Sequence, residues 1–328
     1  MLNHWSVYLL YSALFLACQR QVPADAPVAL NRTPVIFDTD ANNELDDQHA
    51  LAYLLLNGKT FDIHGITVNA TFNGGSIEEQ YIEARRIMDL CQATSDLPLW
   101  RGAGLNFPEI EGHLGEPGYD GHEAVEFILQ EAKMTDSLVV IAVGKLTNIA
   151  LAVKKAPEIA RRIRLVWLGS NYPEPGEYNQ INDTAALSYL LQSPVRFEMV
   201  TVRYGKSTGT DAVKVTREEI LEHLGGKGPQ VSQAVTGRHG GAFHTFGDYA
   251  VDLFDHAEMY GDPPSRALFD LAAVAIVKQP SWAEKLTIPA PRLVDGQWID
   301  QSDNPRQIVV WENFNRDAII QDLFKVCH

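Results

Sequence analysis

Several short segments of the chain, Val35-Ile36-Phe37, Phe61 to Val68, Leu138 to Ala142 and Ile163 to Leu168, are predominantly apolar, and each leads into a segment with the spacing of a helix. A strand that is apolar on both faces has no side to give to water, so it belongs inside a sheet covered above and below. The covering helices are predicted at Asp46 to Leu56, Ser76 to Cys91, Leu146 to Lys155 (stopped before Pro157) and Thr184 to Gln192, and Ser76 with Glu79 forms a capping-box pattern. A further strand at Arg196 to Val200 extends the series. Strands alternating with helices predict an α/β fold with an open, largely parallel, Rossmann-like sheet and helices on both faces. Right-handed crossovers bring the C-terminal strand ends to one edge, where such sheets bind their ligands.

From Thr216 to Phe254 the chain is more polar and contains Gly225-Gly226, Gly228-Pro229 and Gly240-Gly241, which predicts short helices and loops outside the sheet. Ser265 to Lys278 reads as an apolar helix, Gln307 to Trp311 as a β-like run and Arg316 to Val326 as a final helix. With 45% hydrophobic residues among 328, the material suffices for one large core, and residues 33–328 read as a single domain. The formal charge of -15 argues against a nucleic-acid partner, which clustered Lys and Arg would have to hold. A neutral or cationic ligand, or a metal cation, fits that charge.

The first 18 residues form an apolar run too short to span a bilayer, ending in Leu16-Ala17-Cys18. A small residue directly before Cys resembles the bacterial lipoprotein processing site, so residues 1–18 read as an export signal with Cys18 as the acylated residue, and residues 19–32 as a linker. The expected location is the bacterial cell envelope or periplasm, with membrane contact only through that lipid. Cys91 and Cys327 are too few for a disulfide framework, although one bridge between them stays open. Cys91 reads as a buried helical residue and Cys327 as part of a loose terminus.

The segment Asp38-Thr39-Asp40-Ala41-Asn42-Asn43-Glu44-Leu45-Asp46-Asp47 places five carboxylates in ten residues at a strand-to-helix junction. Carboxylates this close raise one another's pKa unless a cation lies between them. Oxygen-only donors point to calcium or magnesium rather than zinc. Asp46 and Asp47 alone could be explained as acidic residues at a helix N-terminus, but Asp38 and Asp40 follow an apolar strand at the ligand edge of a parallel sheet.

These residues, together with others downstream, resemble the inosine-uridine nucleoside hydrolase family. Asp38-Thr39-Asp40 followed by Asp46-Asp47 and an apolar helix is similar to its amino-terminal signature. Val143 to Ala150 (VGKLTNIA), Leu168-Gly169, Glu177-Tyr178-Asn179, Asp183 to Ala186 and Leu268-Phe269-Asp270 resemble further family segments in the same order. The resemblance implies calcium-dependent hydrolysis of a riboside, releasing ribose and base. It implies that Asp40, Asp47 and Asp270 bind calcium together with the backbone carbonyl of Val143, and that Asp40 serves as the base for an attacking water. Asp46 would take the ribose 2'-hydroxyl, with Asp270 also near the sugar. Glu177, Asn179 and Asn171 would hold the 5' side, Asn69 or Asn73 would supply a loop amide, and Asp38 would brace the loop. Family members are commonly dimers or tetramers, so a homodimer or homotetramer is expected.

The chain departs from the family pattern in two informative places. Five residues, Ala41 to Leu45, separate Asp40 from the Asp pair, where three are usual, and Phe269 stands where a His often precedes the Asp. A departing base needs a proton that Phe cannot give. His239, His244 and His256 lie in the polar segment that could cover the pocket, and Gly118-Tyr119-Asp120-Gly121-His122 has the composition of a flexible lid. Two other readings follow from the same residues. Asp38-x-Asp40 after a strand also resembles the nucleophile loop of haloacid dehalogenase-type phosphohydrolases, and Phe269 suits an envelope protein that binds ribosides without cleaving them.

Overall fold

Among the described residues eight segments pair into one sheet: β1 (Thr33–Thr39), β2 (Phe61–Val68), β3 (Leu99–Arg101), β4 (Leu138–Ala142), β5 (Ile163–Leu168), β6 (Arg196–Val200), β7 (Glu284–Pro289) and β8 (Gln307–Glu312), in the spatial order β7-β8-β6-β5-β4-β1-β2-β3. All neighbours run parallel except the β7–β8 edge. The computed structural model describes residues 32–43, 45–93 and 95–328, and Arg32–His328 form one unit by internal contacts. The expected export segment, Cys18 and the linker as far as residue 31 lie outside the described residues.

In the central strands side chains alternate between two buried faces, while the edge strand β7 is largely exposed. Val35 and Phe37 of β1 and Val139 and Ile141 of β4 enter one buried cluster, while Ile36, Leu138, Val140 and Ala142 enter the other. This is what the continuous apolar runs require, because neither face can be turned to water. The covering helices are α1 (Leu45–Leu56), α2 (Ile77–Leu90), α3 (His122–Met134), α4 (Thr147–Lys155), α5 (Tyr178–Asn182), α6 (Thr184–Gln192), α7 (Arg217–Leu224), α8 (Phe246–Asp255), α9 (Phe269–Lys278) and α10 (Arg316–Val326). The capping box at Ser76 forms as the sequence predicts. Among the described residues no helix is long and apolar enough to cross a membrane.

From β1 the chain builds outward through β2 and β3 on one side, then returns to β4 and builds outward through β5 and β6 on the other. The strand order therefore reverses between β1 and β4, and a crevice opens there beyond their C-terminal ends, the usual ligand position of such sheets.

Three sequence expectations need correction. The helix expected from Ser265 begins only at Phe269, because Arg266–Ala267 pair antiparallel with Lys214–Val215 and Leu268 donates its N–H to Val213 O at 2.9 Å. Extended pairing satisfies these backbone groups and delivers Asp270 into the first turn of α9. Cys327 is not in a loose end: it closes α10 and is buried. The Gly118 to His122 segment is no lid, since Tyr119 is buried in the core and His122 opens α3 after Gly121 in the left-handed region at φ 80°.

Candidate active site

The crevice is acidic from its floor upward. At the end of β1, Asp38 is sealed beneath three donors: Thr67 Oγ1 at 2.6 Å, Asn69 Nδ2 at 2.8 Å and Asn148 Nδ2 at 2.7 Å. Burial still pushes its carboxyl up to about 6, against the pull of those bonds and of Lys145. An aspartate closed in this way cannot meet a phosphate ester, which removes the phosphohydrolase reading. Thr39 donates to Asp47 Oδ1 at 2.5 Å, and Asp40 Oδ2 accepts from Thr71 Oγ1 at 2.6 Å.

After Asp40 the chain turns, with Asn43 N–H donating to Asp40 O at 2.8 Å, and enters α1, whose first turn carries Asp46 and Asp47. The helix dipole favours negative charge there. α9 packs against α1 and carries Asp270 in its own first turn. Asp46, Asp47 and Asp270 are buried and each offers an oxygen within 4.8 Å of the others. Asp40 stands outside that trio but lines the same cavity.

Burial, and then the charges of Asp46, Asp47 and Asp40, hold Asp270 far above the ordinary carboxylate range. Asp40 is pushed up to about 7, chiefly by burial and then by Asp46 and Asp38, despite its bond from Thr71. This donor set fits a hard divalent cation: four buried carboxylates that repel one another, all oxygen, at one wall of one cavity.

The ends of β4 and β5 add to the lining beside these carboxylates. Val143 N–H donates to Asp38 O at 2.8 Å, and Val143 O accepts from Asn179 Nδ2 at 2.7 Å, which leaves that carbonyl a second lone pair. Gly144 follows because nothing larger fits: a Cβ there would lie 2.7 Å from Asp40 Oδ1 and 2.8 Å from the Asn69 amide. Glu177 caps α5, accepting from the N–H groups of Ser170 at 2.8 Å, Asn179 at 3.1 Å and Gln180 at 2.9 Å. Burial raises its carboxyl, and these bonds oppose the rise.

The cavity encloses about 130 Å³ and is lined by Asp40, Asn43, Asp46, Asp47, Val143, Glu177, Asn179 and Asp270, with Tyr178, Tyr204 and Phe269 as its aromatic part. The structure thus gathers most of the residues expected from sequence. It does not bring Asn69, Asn73 or Asn171 to the lining. Asn69 donates its Nδ2 to Asp38, Asn73 is exposed, and Asn171 donates to Gly176 O in its own loop and accepts from the Tyr204 N–H of the loop after β6.

Sequence reasoning missed the residues that hold this arrangement. Asn148 ties three neighbouring chain ends, donating to Asp38 Oδ2 at 2.7 Å and Val68 O at 3.0 Å and accepting from Ala103 N–H at 2.8 Å. Buried Lys145 holds the loop after β3 through Gly104 O at 3.1 Å, Leu105 O at 2.7 Å and Asn106 Oδ1 at 3.0 Å. Both sit in the VGKLTN segment, yet a polar residue opening a helix carries no sign of such distant partners. Trp167 is core, its Nε1 donating to Gly144 O at 3.0 Å.

Residues 35–321 match the family described as inosine-uridine preferring nucleoside hydrolase. An uncharacterized protein of Schizosaccharomyces pombe is 26% identical over 212 residues, 57% of this chain and 66% of that protein. A non-specific ribonucleoside hydrolase of Klebsiella pneumoniae subsp. pneumoniae is 28% identical over 193 residues, 51% of this chain and 60% of the other. The chain therefore spans less than two thirds of the length of either curated relative. A purine-preferring ribonucleoside hydrolase from Gardnerella vaginalis superposes with a TM-score of 0.68 at 20% identity, covering 90% of this chain and 98% of that one, a likeness of fold.

Proposed function

The chain belongs to the inosine-uridine preferring nucleoside hydrolase family, and on that premise we propose that it hydrolyses the N-glycosidic bond of ribonucleosides with calcium as its metal. The observation that carries the reading is the convergence of Asp46, Asp47 and Asp270 within 4.8 Å, in a cavity that Asp40 also lines. Asp40, Asp47, Asp270 and the Val143 carbonyl would hold the ion. When bound, calcium supplies positive charge that neutralises these carboxylates and lowers the pKa of the attacking water.

The remaining work falls to side chains of the cavity. Asp40 accepts the proton of that water, with its other oxygen steadied by Thr71. Asp46 accepts from a ribose hydroxyl, and Glu177 and Asn179, which line the same cavity, orient the sugar. Cleavage builds positive charge on the sugar ring, which a concentration of buried carboxylates stabilises in the transition state. The enclosed space of about 130 Å³ is small beside the roughly 300–1,000 Å³ of typical ligand pockets. A sugar fills it, and a base would extend outward past Asn43 toward the adjoining cavity of about 210 Å³.

Phe269 lines the cavity and meets Tyr204 edge-on with ring centroids 5.8 Å apart. It supplies no proton to a departing base, and this favours a second reading in which the site binds ribosides without cleaving them. The two separate in one assay. Ribose release is measured on purine and pyrimidine nucleosides with calcium, with a chelator, and in Asp40→Asn. Release that depends on calcium and falls in the variant supports hydrolysis, whereas binding without release on every nucleoside would sink it.

A further inference from the structure

We propose that His239, Asp252 and His256 form a second metal site, for a transition-metal ion of the zinc class, in the wall of the cavity beside the acidic one. Asp252 lies on α8 and His256 directly follows that helix one turn later, so both project from the same face. His239 comes from the tip of the hairpin between Val235–Thr236 and Ala242–Phe243. The three residues thus join two segments that the sequence holds apart.

The distances suit an intervening ion better than direct bonds. Asp252 Oδ2 is 3.7 Å from His239 Nδ1, beyond hydrogen-bond range. One donor atom from each residue lies within 4.8 Å of the others. Ligand atoms around a tetrahedral zinc, with bonds of about 2.0–2.2 Å, stand roughly 3.4 Å apart, so about 1 Å of closure completes the geometry. Asp252 Oδ2 is also buried with no hydrogen-bond partner. A carboxylate oxygen shut from water and left bare is costly, and an ion between it and the imidazoles removes that cost.

The rings of His239 and His256 stack with centroids 4.1 Å apart. Burial, His256 and Arg238 hold His239 below the usual histidine range, and Asp252 only partly opposes them. His256 Nδ1 lies 2.8 Å from Asp252 O, so a proton there is donated to the carbonyl and Nε2 keeps its lone pair for a metal. Side-chain exposures of 30% for His239 and 45% for His256 leave both rings room to turn out of the stack.

Two nitrogens and one carboxylate select a softer ion than the all-oxygen crevice does, so the two sites would divide zinc and calcium between them. His239, His256 and Leu253 line the cavity of about 210 Å³ that shares Asn43 with the acidic one. An ion here would clamp the hairpin tip to α8 and set the shape of that wall. The inference stands whether or not the acidic crevice hydrolyses nucleosides.

The test uses the untagged full chain, cleared of metal with a chelator and held in excess calcium. Cobalt(II) is titrated in as a spectroscopic probe and then displaced with zinc. One equivalent of cobalt should bind with the intense visible absorption of a four-coordinate ion, and zinc should abolish it. His239→Ala and His256→Ala should each weaken zinc by at least about tenfold, while Asp47→Asn leaves the cobalt spectrum unchanged. Melting temperatures in chelator check that the variants fold, and His256→Gln replaces His256→Ala if the latter does not. Absence of the cobalt band, or equal zinc affinity in the folded histidine variants, overturns the site.

Discussion

Replacing Asn148 with Ala tests whether one buried amide holds the crevice together. The side chain is fully buried and makes three bonds, to Asp38 Oδ2 at 2.7 Å, to Val68 O at 3.0 Å and from Ala103 N–H at 2.8 Å. Removing it strips partners from a buried carboxylate, a buried carbonyl and a buried N–H, each worth about 1–3 kcal/mol when left short. The three belong to one network and do not add fully, so the expected loss is about 3–5 kcal/mol. For a unit of roughly 300 residues each kcal/mol moves the melting temperature by about 1.5 °C, which predicts a fall of about 5–8 °C. Asn148→Asp should fall further, because it keeps the shape but sets a second carboxylate against Asp38. Differential scanning calorimetry near neutral pH reads both variants, and ribose release from a nucleoside reads the knock-on to Asp40, two residues beyond Asp38. Melting within about 1 °C of the parent for the Ala variant would refute the reasoning, since buried bonds of this kind cannot be lost at so small a cost.

Four further outcomes are expected. Gly144→Ala should lower kcat/KM by at least about tenfold through the 2.7 Å approach to Asp40 Oδ1, and undiminished activity would show that the carboxylate has room to yield. Phe269→His should raise kcat on nucleosides by about tenfold or more, with a new loss of rate above about pH 6.5 as the imidazole loses its proton; an unchanged rate and pH profile would exclude leaving-group protonation as the step at fault. Glu198 is held below the usual carboxylate range because the Arg164 fork, at 2.8 and 3.0 Å, and the Trp311 indole outweigh its burial. A depressed folded-state pKa adds stability above the unfolded value that is lost as pH falls, so in urea melts the gap between the parent and Arg164→Met should narrow between about pH 5 and pH 3, and a gap that widens would reverse the sign. If Cys18 is the acylated residue, Cys18→Ser should abolish incorporation of labelled fatty acid and release the chain from the membrane fraction; equal labelling in both chains would dismiss the anchor.

The sheet and the principal acidic residues were legible in the sequence for different reasons. Strands such as Leu138 to Ala142, apolar at every position, have one stable home, and their alternation with helices leaves a parallel sheet as the only way to bury them all. Five carboxylates beside one strand end are too costly to keep without a cation, so their presence announced a site before any fold was known. The start of α9 was less legible: the pairing of Arg266–Ala267 with Lys214–Val215 lies some fifty residues away in sequence, and no local propensity encodes it.

What the sequence determined alone was therefore the central strands of the sheet and the acidic cluster from Asp38 to Asp47, because periodicity and charge density act over neighbouring positions. Tertiary structure decided which side chains meet, Asp270 being expected there only from the family resemblance. It brought Asp270 to within 4.8 Å of Asp46 and Asp47, closed Asp38 away beneath Thr67, Asn69 and Asn148, and left Asn73 outside the cavity. Such choices depend on how α1 and α9 pack across the point where the strand order reverses, and packing is a property of distant surfaces that no single stretch of chain contains.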